Sequence, residues 1–423
     1  MKLIKAAIAA MAAMSLASAA LAQDGSINVL AHKVHQTAAT GLTAGTTGGD
    51  VTADWQAANG RINWITADVG PLHDRLFREM TLATGNVDAA FFLSRFASPK
   101  IFDQLEPLDA YQTANPIEDF EGLSKGMLDG MTYNGHLYGI PFRHSTTAFV
   151  YNETLLKEAG YDGPPKTFAE LVDMAKKLYH VGKNGQKVYG LSQVGDSPEF
   201  LLLLMLATGK PFLAPDYTLN ANTPEFISAL NTLKDLSDNG GLVDNYVSNN
   251  LDGLISDMQN GRAVMSISPF NREIVLNDKK LSLYPGSFHV MSVPPRADGS
   301  LPVQTEVWYL VIPKNAPHKE LAWDLIRTLS APDATVREAL NGNGAVRPAA
   351  YEDPRIIAAL PSAAEQARSV AAAQLALPGF DETTRAQAIL SEESQSFLLG
   401  YQSAEDAAAN IQKRIEPLLP KKQ

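Results

Sequence analysis

Apolar residues along this chain recur in two rhythms. At 26–31 (SINVLA), 61–66 (RINWIT) and 86–93 (NVDAAFFL) they form short dense runs, the pattern of strands. Between these runs, 50–59 reads as a helix, and the segment opened by Pro71 places Leu72, Leu76, Phe77 and Met80 on one helical face. Proline suits that opening because its missing N–H costs nothing at the first helical position. The succession predicts parallel pairing with right-handed crossovers, and so an α/β fold.

The pattern continues with two extended runs, 137–142 and 146–151, separated by the polar break Arg143-His144-Ser145. Taken alone they read as a strand pair joined by a solvated turn. A helical turn at 153–159 stops at Gly160, a residue suited to the left-handed conformation that ends helices. Thr167 and Glu170 form a capping box before a helix that buries Phe168, Leu171, Met174, Ala175 and Leu178. A strand at 188–192 ends at Gln193. A buried helix follows at 200–207, and another opens at Thr223-Pro224 with Phe226, Leu230, Leu233 and Leu236 inside. Further strands are expected through Met265, at 288–293 and at 305–312. Helix 318–329 buries Leu321, Leu325, Ile326 and Leu329. The remainder, 349–423, is helical and Ala-rich, and Ser403 caps a last helix with Ala407, Ile411 and Ile415 inward.

At 423 residues the chain exceeds one ordinary core, so two domains are expected. The first 22 residues have a basic start (Lys2, Lys5), a small apolar stretch and an Ala20-Leu21-Ala22 cleavage site, which together read as a secretory signal peptide. Its removal leaves 423 − 22 = 401 residues and takes the net charge from −11 to −13, because two lysines and no acids are lost. No later run is long enough to cross a bilayer. The acidic balance excludes a nucleic-acid surface, which needs clustered Lys and Arg. Cysteine is absent, so disulfides and an N-terminal lipid are excluded. There is no dinucleotide-binding or phosphate-loop glycine pattern, no G-x-S-x-G elbow and no H-E-x-x-H helix. His32 and His35 lack a third metal ligand at recognisable spacing, so neither metal nor cofactor is expected. Ligands of α/β sheets gather beyond strand ends. The polar cluster after the first strand, with Lys33, His35 and Gln36, is therefore expected to be a ligand loop.

The stretch GHLYGIPFRHSTTAFVYNETLLKEAG resembles the hinge crossover of extracellular solute-binding proteins of the maltose-binding type, which feed ABC importers. Further resemblances lie in the run from Gly261 to Met265, in helix 318–329, in the run GNGAVRP at 342–348 and in the closing helix. The likeness implies a two-lobed periplasmic-binding-protein fold with a ligand cleft between lobes joined by hinge crossovers. After the leader (1–22), the implied lobes are 23–142 with 272–342, and 143–271 with 343–423. It implies ligand contacts from Ser94, Arg95, Arg143, His144, Gln193, Asn271 and Arg347, with Arg95 otherwise a surface charge. Phe270 stands where an aromatic sugar platform is usual; the other reading is a core residue. Glu306 and Trp308 replace a Gly-rich entry, and Trp308 is either a ligand-facing indole or a core one.

The implied function is the periplasmic substrate-binding component of an ABC importer. It would be a monomer that binds a sugar, polyol or sugar acid, closes on it and docks on permease subunits. It would not be an enzyme. The rival is a periplasmic glycan-processing hydrolase with paired carboxylates. An iron(III)-binding relative would need clustered tyrosines, whereas Tyr351 and Tyr401 are isolated. The exported chain is expected to begin at Gln23. Intact-mass measurement of the periplasmic fraction checks this, and a mass retaining 1–22 would overturn it.

Overall fold

Ten strands join into one mixed sheet. The protein is seen in a computed structural model, which describes residues 25–43, 45–182 and 185–420. The expected leader, 1–22, lies outside the described residues. The sheet opens with β1 (Ile27–Ala31), β2 (Ile62–Thr66) and β3 (Ala89–Leu93), with β1 parallel to both neighbours, as the strand-helix alternation predicts. Every residue of β3 is buried, as a strand covered on both faces requires. Helix α1 (Lys33–Thr40) follows β1, and α2 (Val69–Met80) covers β3 with Leu72, His73, Leu76 and Met80 inward. Helix α2 starts two residues before Pro71, so the proline lies within the first turn rather than at its first position.

Next comes β4 (Ile140–Asn152), then β5 (His180–Val181), β6 (Lys187–Leu191), β7 (Ala263–Pro269), β8 (Phe288–Met291), β9 (Gln304–Val311) and β10 (Gln374–Leu375). Their order across the sheet is β2-β1-β3-β9-β4-β7-β6-β5. Strand β4 is the join. Residues 140–146 pair with β9, 147–151 with β7, and 149–152 also with β8.

The polar break expected at 143–145 is therefore part of one continuous strand. Phe142, His144, Thr146 and Ala148 are buried, while Arg143, Ser145 and Thr147 alternate with them on the more open face. Strand β8 lies beside the second half of β4, and Pro295 accepts the Phe168 N–H at 2.8 Å. The chain thus returns to the first half of the sheet with β9, later than residue 272.

Helix α3 (Phe168–Lys177) starts as expected at Thr167, whose hydroxyl accepts the Glu170 N–H at 3.2 Å. The Glu170 carboxylate takes the N–H of Lys166, one residue earlier than a capping box requires. Helices α4 (Glu199–Ala207) and α5 (Pro224–Asp238) pack on each other, α6 (Leu251–Gln259) packs on β7 and α7 (Lys319–Ser330) on β4. Then come α8 (Thr383–Leu398) and α9 (Ala404–Ile415), which lie against each other and α5. The Ser403 hydroxyl caps α9 by accepting the Asp406 N–H at 3.0 Å, and Ala407, Ile411 and Ile415 are buried. Each large apolar side chain buried in this way contributes about 1.5–3 kcal/mol. Among the described residues no helix is long and apolar enough to cross a membrane.

Arg347 fastens the third junction between the halves. It was expected to face the cleft, but it is only 2 % exposed. Its guanidinium donates to the carbonyls of Ser330, Glu118 and Asp119, and to the Asp119 carboxylate at 2.9 Å. With every donor engaged it has nothing left for a ligand. Arg347→Ala should lower the free energy of unfolding by about 2–3 kcal/mol, because it strands buried carbonyls. Urea unfolding measures this, and an unchanged midpoint would show that water replaces the clamp.

Candidate functional site

A cavity of about 480 Å³ lies over the join between the two halves of the sheet. From the first half come Ser94 and Arg95, directly after β3, and Gln304, Thr305 and Glu306 at the start of β9. Ser145 and Thr147 form its floor from the open face of β4. The second half supplies Gln193 and Ser197 beyond β6, Glu199 and Phe200 at the start of α4, and Ile267, Ser268 and Arg272 at and beyond the end of β7. Leu254, Leu375 and Leu377 complete an apolar side. Nearly all of these positions lie at strand ends or helix starts, where an α/β sheet leaves backbone and side chains free for a ligand.

The floor is held rigidly. The Thr147 hydroxyl donates to the Gln304 carbonyl and accepts its N–H, both at 3.1 Å. On the buried face below, the Thr146 hydroxyl donates to that of Thr305 at 2.9 Å. It therefore accepts from His144 Nδ1 at 2.8 Å, which leaves Nε2 to accept from the Tyr351 hydroxyl at 2.9 Å. In the orientation that pairs both of its ends, the Gln193 amide donates to the Ile267 carbonyl at 2.9 Å and accepts the Ile267 N–H at 2.6 Å.

The charges of the site are mixed. Arg95 Nε lies 3.3 Å from Glu306 Oε1. Burial raises the pKa of Glu306 and Arg95 opposes it. Glu199 faces open water on one side, yet the walls around it raise its pKa, Glu306 adds to that, and Arg95 opposes it. Buried atoms without a hydrogen-bond partner among the described residues include Arg272 Nε, Ser197 Oγ and Ser268 Oγ. Among the described residues no group of three or more His, Asp or Glu could hold a metal.

Of the expected contacts, Ser94, Arg95 and Gln193 line this cavity. Arg143 lies next to it, two residues before Ser145 on the same strand face. The others lie elsewhere. Residues 33–40 form a helix because His32 caps it, Nδ1 accepting the Val34 N–H at 3.3 Å. That turns His35 into the core, fully buried and stacked on Phe91 at 4.3 Å between ring centroids. Lys33 and Gln36 stay on the outside of α1 and bond to each other at 2.9 Å. His144 is buried with both ring nitrogens engaged, as described. Phe270 is a core residue, 6 % exposed. Asn271 is exposed and forms no wall of the cavity. Trp308 is half-buried and packs on His35 and His73, at 4.5 and 5.6 Å between ring centroids, rather than lining the cavity.

The walls missed in the sequence are chiefly Ser145, Thr147, Glu199, Arg272, Gln304 and Glu306. Period-two alternation through 142–148 was the signal for the first two. A strand followed by a helix start was the signal for Glu199.

A family profile described as bacterial extracellular solute-binding protein matches residues 37–336. A probable amino-acid ABC transporter periplasmic-binding protein, y4oP, of Sinorhizobium fredii is 22% identical over 384 residues, 87% of this chain and 85% of that one. The maltotriose-binding protein of Pyrococcus abyssi is 35% identical over 88 residues, which span 21% of this chain and only 17% of that protein. The solved structure of the sugar-binding protein MalE from Xanthomonas citri superposes with a TM-score of 0.77 over 93% of this chain and 97% of that chain, at 22% identity. This likeness establishes the two-lobed α/β fold.

Two buried histidines make the scaffold acid-sensitive. His73 Nδ1 donates to the Val69 carbonyl at 2.7 Å, so Nε2 accepts the Leu93 N–H at 3.0 Å. Protonating Nε2 would break that bond. Burial lowers its pKa from 6.5 to about 4, and that of His144 from 6.5 to about 3, the latter helped by Arg143. Above pH 6.5 neither the folded nor the unfolded chain protonates these rings, and their contribution to stability is complete. As pH falls below 6.5 the unfolded chain binds protons that the fold refuses, so stability drops down to the folded values. The loss should approach roughly 3 kcal/mol for His73 and roughly 5 kcal/mol for His144. Melting temperature followed from pH 7.5 to 4.5 should fall less steeply in His73→Gln than in the parent. Equal slopes would show that the ring is protonated in the fold.

Proposed function

The chain belongs to the bacterial extracellular solute-binding proteins, and on that premise we propose that it is the periplasmic substrate-binding component of an ABC importer. It captures a sugar or sugar derivative between two lobes and delivers it to the membrane permease. The observation that carries this reading is a cavity walled by both halves of the sheet across the shared strand β4. A ligand there touches both lobes, and it favours closure by whatever contacts it makes better in the closed state. Ser94, Ser145 and Ser197 supply hydroxyls that both donate and accept, as a polyol requires. Phe200, Leu375 and Leu377 offer apolar surface to a sugar's C–H faces.

In this reading the first lobe is residues 23–142 with the segment from β9 to about 342, and the second is 143–303 with 343–423. The leader 1–22 is cleaved on export to the periplasm. The names of the maltotriose-binding relative and of MalE favour a sugar; the name of the y4oP relative favours an amino acid. The hydroxyls along the cavity favour the sugar class.

The protein is read as a binder without catalysis. A hydrolase would draw on Glu199 and Glu306, the two carboxylates lining the cavity. Arg95 pairs with Glu306 and opposes the upward shift that burial gives its carboxyl. Incubation with oligosaccharides should release no product; turnover abolished by Glu199→Gln would establish the hydrolase instead.

A thermal-shift screen over sugars, polyols, sugar acids, sugar phosphates and amino acids tests the ligand class. A sugar or polyol derivative at about 100 times its Kd should add roughly 2.7 kcal/mol of stability. Stabilisation by amino acids alone would overturn the sugar reading.

A further inference from the structure

Two arginines on the cleft side have no acid to answer them among the described residues. Arg143 lies opposite Trp308 in the sheet, on the face that two residues later presents Ser145 to the cavity. Arg272 walls the cavity directly, and its buried Nε has no partner among the described residues. Strand β7 runs antiparallel to β4 with Pro269 beside Thr147. The chain leaving β7 therefore heads back along β4, toward Ser145 and Arg143. Both arginines thus belong to one end of the cleft.

Other inward arginines are paired. Arg95 has Glu306 at 3.3 Å, Arg262 has Asp257 at 2.9 Å and Arg347 has Asp119 at 2.9 Å. For Arg143 and Arg272 burial alone acts, lowering both pKa values, and no acid raises either. The neighbours of Arg143 do not compensate it. His35 and His144 are both kept neutral, in part by Arg143 itself. Glu306 is committed to Arg95. In a chain of net charge −11, two uncompensated guanidiniums beside one cavity are a local positive field against the overall sign.

We propose that the ligand carries an anionic group, a carboxylate or a phosphate, seated beside Ser145 between the guanidiniums of Arg143 and Arg272. This rests on the sugar-binding reading and narrows it to acidic sugars and polyols. Both groups present the planar or tripodal oxygens that a guanidinium fork matches. The hydroxyl-bearing part of the ligand then lies toward Ser94, Thr147 and Gln304.

The test uses matched sets: D-glucose with D-glucuronate and D-glucose 6-phosphate, and ribitol with D-ribonate and ribitol 5-phosphate. Thermal shift ranks them and calorimetry gives Kd for the full mature chain. An acidic member should bind while its neutral parent does not, more weakly at high salt. Preference for the acid or the phosphate separates the two anions. Arg143→Gln and Arg272→Gln should each weaken that probe by roughly 30-fold or more. Arg272 lies on a short surface helix, so its variant remains informative if Arg143→Gln fails to fold. If the neutral parents bind as tightly as their acids, or both folded variants bind the acid unchanged, the anion inference falls and the sugar-binding reading stands. If neither set binds while amino acids do, both fall.

Discussion

Strand β4 is the constraint on which the rest depends. Its thirteen residues serve both halves of the sheet, so neither half can be completed without it. Its period of two assigns opposite duties to alternate residues. Phe142, His144, Thr146 and Ala148 point into the core, and there His144 and Thr146 tie the strand to Tyr351 and Thr305. Arg143, Ser145 and Thr147 point the other way, toward the cavity. A shift of one residue in register would send the charged and hydroxyl groups into the core and the aromatic ones into the cleft. The neutral His144 network therefore does more than satisfy two ring nitrogens. It fixes the register that makes a binding face.

The same strand explains how a cleft could move without loss of its floor. Thr147 is bonded to the backbone of Gln304, and Asn343 donates to the Phe142 carbonyl at 2.8 Å, so the crossing segments are stitched to each other. Rotation of one half against the other would have to be absorbed beside this stitch, by small changes at element ends, while the stitched floor stays intact. Gly344 fits the demand for closeness here: a Cβ at that position would lie 2.8 Å from the His144 carbonyl oxygen. Any side chain at 344 would push the third crossing away from β4.

The sequence was most readable where one face of an element had a single job. The parallel order of β1, β2 and β3, the buried face of α5 and the Ser403 cap of α9 all follow from periodicity and end signals. The site was harder because its residues lie in mixed surroundings. His35, His144 and Arg347 look like ligand groups by composition, yet each is buried, two with every polar group engaged and His35 with one nitrogen left over. What distinguishes them is a partner far along the chain: Phe91 for His35, Tyr351 for His144 and Asp119 for Arg347. No local pattern carries that information. The reverse error occurred at Glu199 and Arg272, which look like ordinary helix-start charges until the fold brings them to the cavity.

The charge balance of the cleft follows from which of its arginines are paired. Of the three arginines among the expected ligand contacts, Arg347 is structural and Arg95 has Glu306, which leaves Arg143. Arg272 joins it, at the end of β7, and it is unpaired where Arg95 is not. Positive charge in the cleft thus depends on the pairing state of two arginines rather than on the number of basic residues. Pairing is the better criterion. A guanidinium held by a carboxylate gains little from a second anion, since its attraction is already answered, whereas an uncompensated one in a partly buried setting carries a desolvation penalty that an incoming anion relieves. Selectivity then comes from the asymmetry of the cost: a neutral sugar at the same place would cover both charges and answer neither.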